Sequence, residues 1–257
     1  MNRIETLAGA IIVLIVLFDV FASIILPRPV RRVSRVSGII ARGMWPLTRA
    51  AGLSLKNART REALLGAYAP FALVSFVGIW VVLLIFGYGV MLDGLRTTVV
   101  PHPKDIMTSI YFAGTSLLTI GYGDYVATGW AARLVALTAG TTGLAVMAVG
   151  TTFLFAIFTS FQRREVLVVT LDALAGSPPS GLSLLVRARE LDITGDLPRL
   201  FADAQRWSAE VLDSHLAYAI LAYFRSTHVD ASWIATLGAL LDASALVLTA
   251  VDHLPIG

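Results

Sequence analysis

Three apolar runs, roughly Leu7 to Leu26, Pro70 to Leu92 and Ala131 to Phe161, are long enough to cross a bilayer, which takes about 20 helical residues. Runs of this kind restrict the chain to helices, because hydrocarbon offers a backbone amide no partner outside its own segment. Composition agrees: 56% of the 257 residues are hydrophobic and 14% charged, more apolar and less charged than a soluble domain. Cysteine is absent, which removes disulfide frameworks, thiolate metal sites and cysteine nucleophiles. Phe21-Ala22-Ser23 loosely resembles a leader cleavage site, but the arginines that follow resist translocation, so the first run reads as a retained span. Asp19 inside it is a carboxylate at membrane depth, expected to act as a hydrogen-bonded packing residue near the inner end of the helix.

Charge sets the orientation. Arg28, Arg31, Arg32, Arg35, Arg42, Arg49, Lys56, Arg59 and Arg61 lie between the first two spans with only Glu62 against them, and basic residues near span ends stay in the cytoplasm. Arg163 and Arg164 follow the third span, whereas the segment between spans two and three has no basic excess. The expected protein is therefore a multi-pass cell-membrane protein with its N-terminus outside and its C-terminal domain cytoplasmic. Pro29, Gly38, Gly43 and Pro46 break up the arginine-rich segment and no apolar run contains it, so it reads as a basic segment on anionic headgroups rather than a voltage sensor.

Thr97 to Trp130 is only half apolar and too broken to span. Pro103 to Leu118 reads as a short helix, with Pro103 in its first turn and Asp105 at its N-terminal end. Thr119-Ile120-Gly121-Tyr122-Gly123-Asp124 follows. A cation leaves water only where something replaces its hydration shell, and neutral carbonyl oxygens do so without trapping it as a carboxylate would. An extended strand of L-residues alternates its carbonyl directions, so pointing them one way needs unusual backbone conformations, which Gly121 and Gly123 tolerate for lack of a Cβ.

Ser116-Leu-Leu-Thr119-Ile-Gly-Tyr-Gly-Asp124 resembles the signature of the potassium channel superfamily in its simplest pore form: outer helix, pore helix, selectivity filter and inner helix. The resemblance covers roughly Pro70 to Arg164. It implies that the carbonyls of Thr119, Ile120, Gly121 and Tyr122, with the Thr119 hydroxyl, bind K+, that Gly123 completes the filter, and that Asp124 sits behind its mouth. Ser116 departs from the family's usual threonine, and the proline often found after the aspartate is absent from Tyr125 to Thr128. Thr115 stands where some members carry a buried glutamate, and Tyr111 replaces a family tryptophan, so the resemblance assigns Thr115 and Tyr111 to filter support and turns Asp124 toward the Tyr111 hydroxyl. Gly143 matches the family's hinge position, while Gly140 and Gly150 read as sites of close helix packing.

Leu144, Met147, Thr151, Phe155 and Thr159 recur every three or four residues and share a helix face. If that face lines a pore, Thr151 wets the cavity, and Phe155 with Thr159 narrows its inner end as a dewetting gate. From Arg163 onward polarity is mixed, with helix signals at Asp196-Leu-Pro198 and Asp230-Ala-Ser-Trp233 and a breaker at Ser177-Pro-Pro-Ser-Gly181. A small helical cytoplasmic domain with an unknown regulator is the expectation. Ala231 to Val251 is nearly long enough to span, but Asp242 in its middle favours a buried helix. His102, His215, His228 and His253 have no partners at metal-ligand spacing, and no combination of nucleophile, base and orienter stands out. No enzyme, no cofactor beyond permeant K+ and no nucleic-acid partner is expected.

The chain thus reads as an all-α membrane protein with three transmembrane helices: residues 1–27 as the first helix, 28–69 as a basic interfacial segment, 70–163 as the pore domain and 164–257 as the cytoplasmic domain. It holds one filter strand, which cannot surround an ion, so the resemblance implies a homotetrameric potassium channel. Two rivals are a potassium uptake transporter subunit, which would need several pore units in one chain, and a non-conducting membrane scaffold or sensor.

Overall fold

The computed structural model describes residues 2–24, 36–226 and 232–250. Arg28, Arg31, Arg32 and Arg35 of the basic segment, Asp230 of the last helix signal, and His228 and His253 lie outside the described residues. The described chain runs α1 (Arg3–Ile24), α2 (Val36–Ser54), α3 (Ala58–Gly94), β1 (Val99–Val100), α4 (Ile106–Leu117), β2 (Val126–Ala127), α5 (Trp130–Ala175), α6 (Gly181–Glu190), α7 (Leu197–Ala217) and α8 (Trp233–Ala250). It forms two compact units, Met1–Ala50 with Pro70–Leu154 and Ala51–Ala69 with Phe155–Gly257.

Each apolar run lies in a helix, but two helices are much longer than their runs. The helix α3 begins 12 residues before Pro70, and α5 continues 14 residues past Phe161. An α-helix satisfies its own backbone, so it continues past the membrane until a residue breaks the ladder. In α5 that break is Gly176, at a φ of +80°, followed by the Ser177-Pro178 turn. Ser180 then caps α6.

In the first unit α1 packs along α3. A Cβ on Gly9 would stand 2.5 Å from the Gly87 carbonyl oxygen, so glycine permits the two backbones to meet. Val13, Val16 and Val20 of α1 join Trp80, Leu84, Tyr88 and Leu92 of α3 in one core with Phe112, Ala113 and Leu117 of α4 and Val135, Ala139 and Val146 of α5. Asp19 is buried in this contact and accepts a hydrogen bond of 2.8 Å from Trp80 Nε1, the packing role expected of it. That bond fixes the first helix against α3.

In the second unit Val168, Leu171 and Ala175 of α5 share a core with Leu184 and Ala188 of α6, Trp207 and Val211 of α7, and Leu240 and Ala243 of α8. Among the described residues four helices, α1, α3, α5 and α8, are long and apolar enough to cross a membrane. In α8 the buried residues Thr236, Ala239, Leu240 and Ala243 form one face. Gly181 of α6 lies where a Cβ would come within 2.5 Å of the Ala243 amide nitrogen.

Candidate functional site

The site begins at α4. Its N-cap is Asp105, whose Oδ1 accepts hydrogen bonds from the Thr108 amide (2.8 Å) and hydroxyl (2.7 Å). The cap explains why the helix starts at Ile106, three residues after the proline expected to open it. Those two bonds, side chain first, hold the Asp105 carboxyl below its usual pKa. One turn on, the buried Ser109 hydroxyl donates to Asp93 of α3 at 2.9 Å. Two glycines set how closely the flanking helices approach: a Cβ on Gly89 of α3 would lie 2.6 Å from Ile110, and one on Gly143 of α5 would lie 1.8 Å from the Leu117 carbonyl oxygen.

Gly143, expected to be a hinge, therefore sits at the tightest of these contacts, and α5 runs unbroken through Gly140, Gly143 and Gly150. Gly140 and Gly150 are looser, with nearest neighbours 3.3 Å and 3.4 Å from where a Cβ would stand. The carbonyl of Leu117 belongs to the last turn of α4, so Gly143 determines where that end of the helix points.

Beyond Leu118 the backbone leaves the helix. Thr119, Gly121 and Gly123 have φ values of +56°, +59° and +81°, so every second residue is left-handed. This sign alternation turns over the peptide planes that alternate in an ordinary strand, and successive carbonyls can then share a side. The amides of Ile120 and Gly121 donate back to the Thr115 carbonyl at 2.8 and 3.2 Å, and the Thr119 amide donates to the Ser116 carbonyl at 3.1 Å. The donors of the strand's inner half are thus consumed by the helix end.

Thr119 is the departure from expectation here. Residue type assigns all the tolerance to glycine, yet a β-branched residue occupies the left-handed region, a conformation that costs on the order of 1–3 kcal/mol and persists only when surroundings impose it. The three amide bonds to Thr115 and Ser116 impose it. No feature of the residue itself signals it.

Tyr111 and Asp124, 13 positions apart in sequence, come close enough that the Asp124 carboxylate raises the pKa of the Tyr111 hydroxyl. Tyr125 packs edge-on against Tyr111 with ring centres 6.2 Å apart. Thr115 is buried, but its hydroxyl donates to the Phe112 carbonyl at 3.0 Å; its contribution to the strand is the carbonyl. A two-residue ladder pairing Val99 with Ala127 and Val100 with Val126 closes the outer loop, an element the sequence does not announce. Ile120 and Tyr122 remain 48% and 69% exposed, so their own chain does not cover these apolar side chains. Leu144, Met147, Thr151, Phe155 and Thr159 all lie on α5 and are all exposed. The Thr151 hydroxyl donates to the Met147 carbonyl at 2.8 Å within the helix.

Residues 72–160 match a family model described as ion channel. No curated protein and no solved structure matches the chain. The matched residues hold α3 from its membrane part onward, α4, the glycine-punctuated strand and most of α5, so this part of the chain is similar to an ion channel domain, as the resemblance to the potassium channel superfamily leads one to expect.

Proposed function

We propose that the chain is one subunit of a homotetrameric, potassium-selective channel, and that the Thr119, Ile120, Gly121 and Tyr122 carbonyls with the Thr119 hydroxyl are its K+ sites. The observation that carries the reading is the left-handed backbone at Thr119, Gly121 and Gly123. A strand of this kind spends its amides on its own helix and frees its carbonyls. Four such strands around an axis replace the shell of a dehydrated K+, and ions in adjacent sites displace one another down the gradient.

The homotetramer also supplies what one chain lacks. Exposed Ile120 and Tyr122 gain neighbours to pack on, and an irregular backbone at membrane depth is tolerated only inside protein or along a water-filled path. In the assembly the Tyr111 to Asp124 contact braces each filter strand from behind, and Gly143 seats the pore helix so that its partial negative end faces the cavity. The exposed α5 face bearing Leu144, Met147, Thr151, Phe155 and Thr159 lines the cavity and gate. The N-terminus lies outside, α1, α3 and α5 cross the membrane, and residues 164–257 are cytoplasmic, α8 packed within that helical domain rather than spanning. Residues 1–27, 28–69, 70–163 and 164–257 then act as anchor, interfacial segment, pore and regulatory domain.

Purified protein in liposomes tests this. Rubidium and potassium should pass while sodium is excluded. Equal sodium flux overturns selectivity, and no flux at all favours the scaffold.

A further inference from the structure

Just past the gate face, α5 carries an arginine whose side chain is buried. Arg164 is 2% exposed. Its guanidinium donates to the Leu221 carbonyl at 3.0 Å, to the Phe224 carbonyl at 2.9 Å and to the Glu165 carboxylate at 3.1 and 3.2 Å. Glu165 also accepts from the Ser226 hydroxyl at 3.1 Å. The segment 219–226 is further held by Tyr223 against Tyr68, ring centres 5.5 Å apart, and by the Arg225 to Glu62 ion pair, both on α3. It therefore acts as a clasp that joins the inner ends of α3 and α5 within the second unit.

His215 of α7 stands beside this clasp. Its Nδ1 donates to the Val211 carbonyl at 2.8 Å, and its ring packs on Trp233 with centres 4.9 Å apart. The Trp233 ring also meets a cation, because the Arg164 guanidinium lies 5.6 Å from its centre. Among the described residues Nε2 of His215 is buried without a partner. A neutral imidazole with Nδ1 protonated leaves Nε2 as a bare acceptor, which such a site tolerates. A protonated Nε2 is a buried donor with nothing to receive it, next to a second cation.

We propose that His215 is a proton sensor for this clasp: protonation drives the imidazolium out from beside Arg164 and Trp233, loosens the 219–226 segment and releases the inner end of α5. The inference rests on the channel reading only for its last consequence, that release favours opening. The groups that bear on His215 can be named by element. On α5 they are Arg164, its partner Glu165, and Arg163 at the rim of an adjacent cavity of about 220 Å³; on α7 itself they are Glu210 and Asp213 lining the same cavity. Tyr218, which caps the C-terminal end of α7, lines that cavity too, and Arg225 of the clasp is engaged by Glu62. Only Trp233 of α8 approaches, since Asp242, the helix's one charged residue, lies against Gly181 of α6. Glu210 and Asp213 are exposed at the cavity mouth, where a displaced imidazolium finds acceptors and water.

Burial, and after it the Arg164 charge, hold the His215 pKa below its ordinary value, against the opposing pull of the Val211 carbonyl. With the folded pKa depressed, the clasped form binds fewer protons than the released one. The clasp is therefore intact at neutral pH and weakens as pH falls below the ordinary histidine range. One proton per subunit shifts that equilibrium by at most about tenfold per pH unit.

The chain has no cysteine, so labels can be placed cleanly. Exposed Gln162 and Ala219, changed to Cys and spin-labelled in the full chain in liposomes, report the span from α5 to the clasp. The expected result is one short distance at pH 7.5 and a growing longer population toward pH 5, which is lost in His215→Phe and in His215→Gln. Either variant that keeps the short distance at both pH values supports the sensor, so misfolding of one does not leave the matter open. A distance independent of pH in the parent, or a response retained in both variants, overturns it. Rubidium flux measured in the same vesicles should rise on acidification in the parent alone. Flux absent at every pH removes the channel reading while the labels still decide the clasp.

Discussion

Two stretches of this chain outside its α-helices use backbone carbonyls on a cation in opposite ways. The 219–226 clasp gives the carbonyls of Leu221 and Phe224 to a guanidinium that is covalently fixed and buried. The strand from Thr119 to Gly123 returns its first amides to α4, and among the described residues its carbonyls accept no hydrogen bond. Each follows the end of an α-helix, α7 and α4 respectively, and both sit beside a long helix. A fixed cation within reach makes carbonyls into a structural joint; its absence, together with alternating φ, leaves them for ions that come and go.

The comparison breaks most sharply at Gly121. Among the described residues, nothing beyond its chain neighbours lies within 4 Å of the position a Cβ would take, so Gly121→Ala isolates the φ of +59° from steric conflict within the chain. Forcing L-alanine there costs on the order of 1–2 kcal/mol per subunit. Selective rubidium flux should disappear while the protein still purifies as the parent oligomer; normal flux would mean the alternation carries no function.

Arg164→Met removes the fixed cation from the other stretch. Two carbonyls lose their donor and the buried Glu165 loses its charge partner, and breaking a buried pair in this way costs about 3–5 kcal/mol. Denaturant unfolding should show that loss in the second unit. Arg164→Lys keeps the charge without the fork and should recover only part of it.

Gly143→Ala asks whether the filter depends on the seat of its helix. The added methyl would meet the Leu117 carbonyl, and overpacking of this kind costs about 1–3 kcal/mol. A hinge role predicts altered gating with unaltered stability; a packing role predicts lower thermal stability and impaired selectivity together.

The smallest effect is at Asp105. Its carboxyl is held below the usual pKa, so the cap is fully present above the ordinary carboxylate range and is lost as pH falls through the folded value. Melting temperature followed toward low pH should lose part of its slope in Asp105→Asn.

The spans, the pore helix and the filter motif are legible in the sequence because each is a local pattern: apolar runs of bilayer length, a capping aspartate before a short helix, glycines at alternate positions. Asp19 is readable in kind, since a carboxylate among apolar residues must be paired, but its partner Trp80 lies 61 positions away. Gly143 reads as a hinge from its place in a motif, whereas the structure puts a backbone oxygen where its side chain would be.

By itself the sequence determined that this chain makes membrane-length helices around a glycine-punctuated strand, because hydrocarbon and the Ramachandran map act on each residue in its local context. The fold alone decided that Thr119 turns left-handed, that Gly143 bears on Leu117, and that Arg164 closes a clasp beside His215. Each of those outcomes depends on which distant carbonyl comes within hydrogen-bonding or van der Waals range, and such proximity is a property of packing rather than of composition.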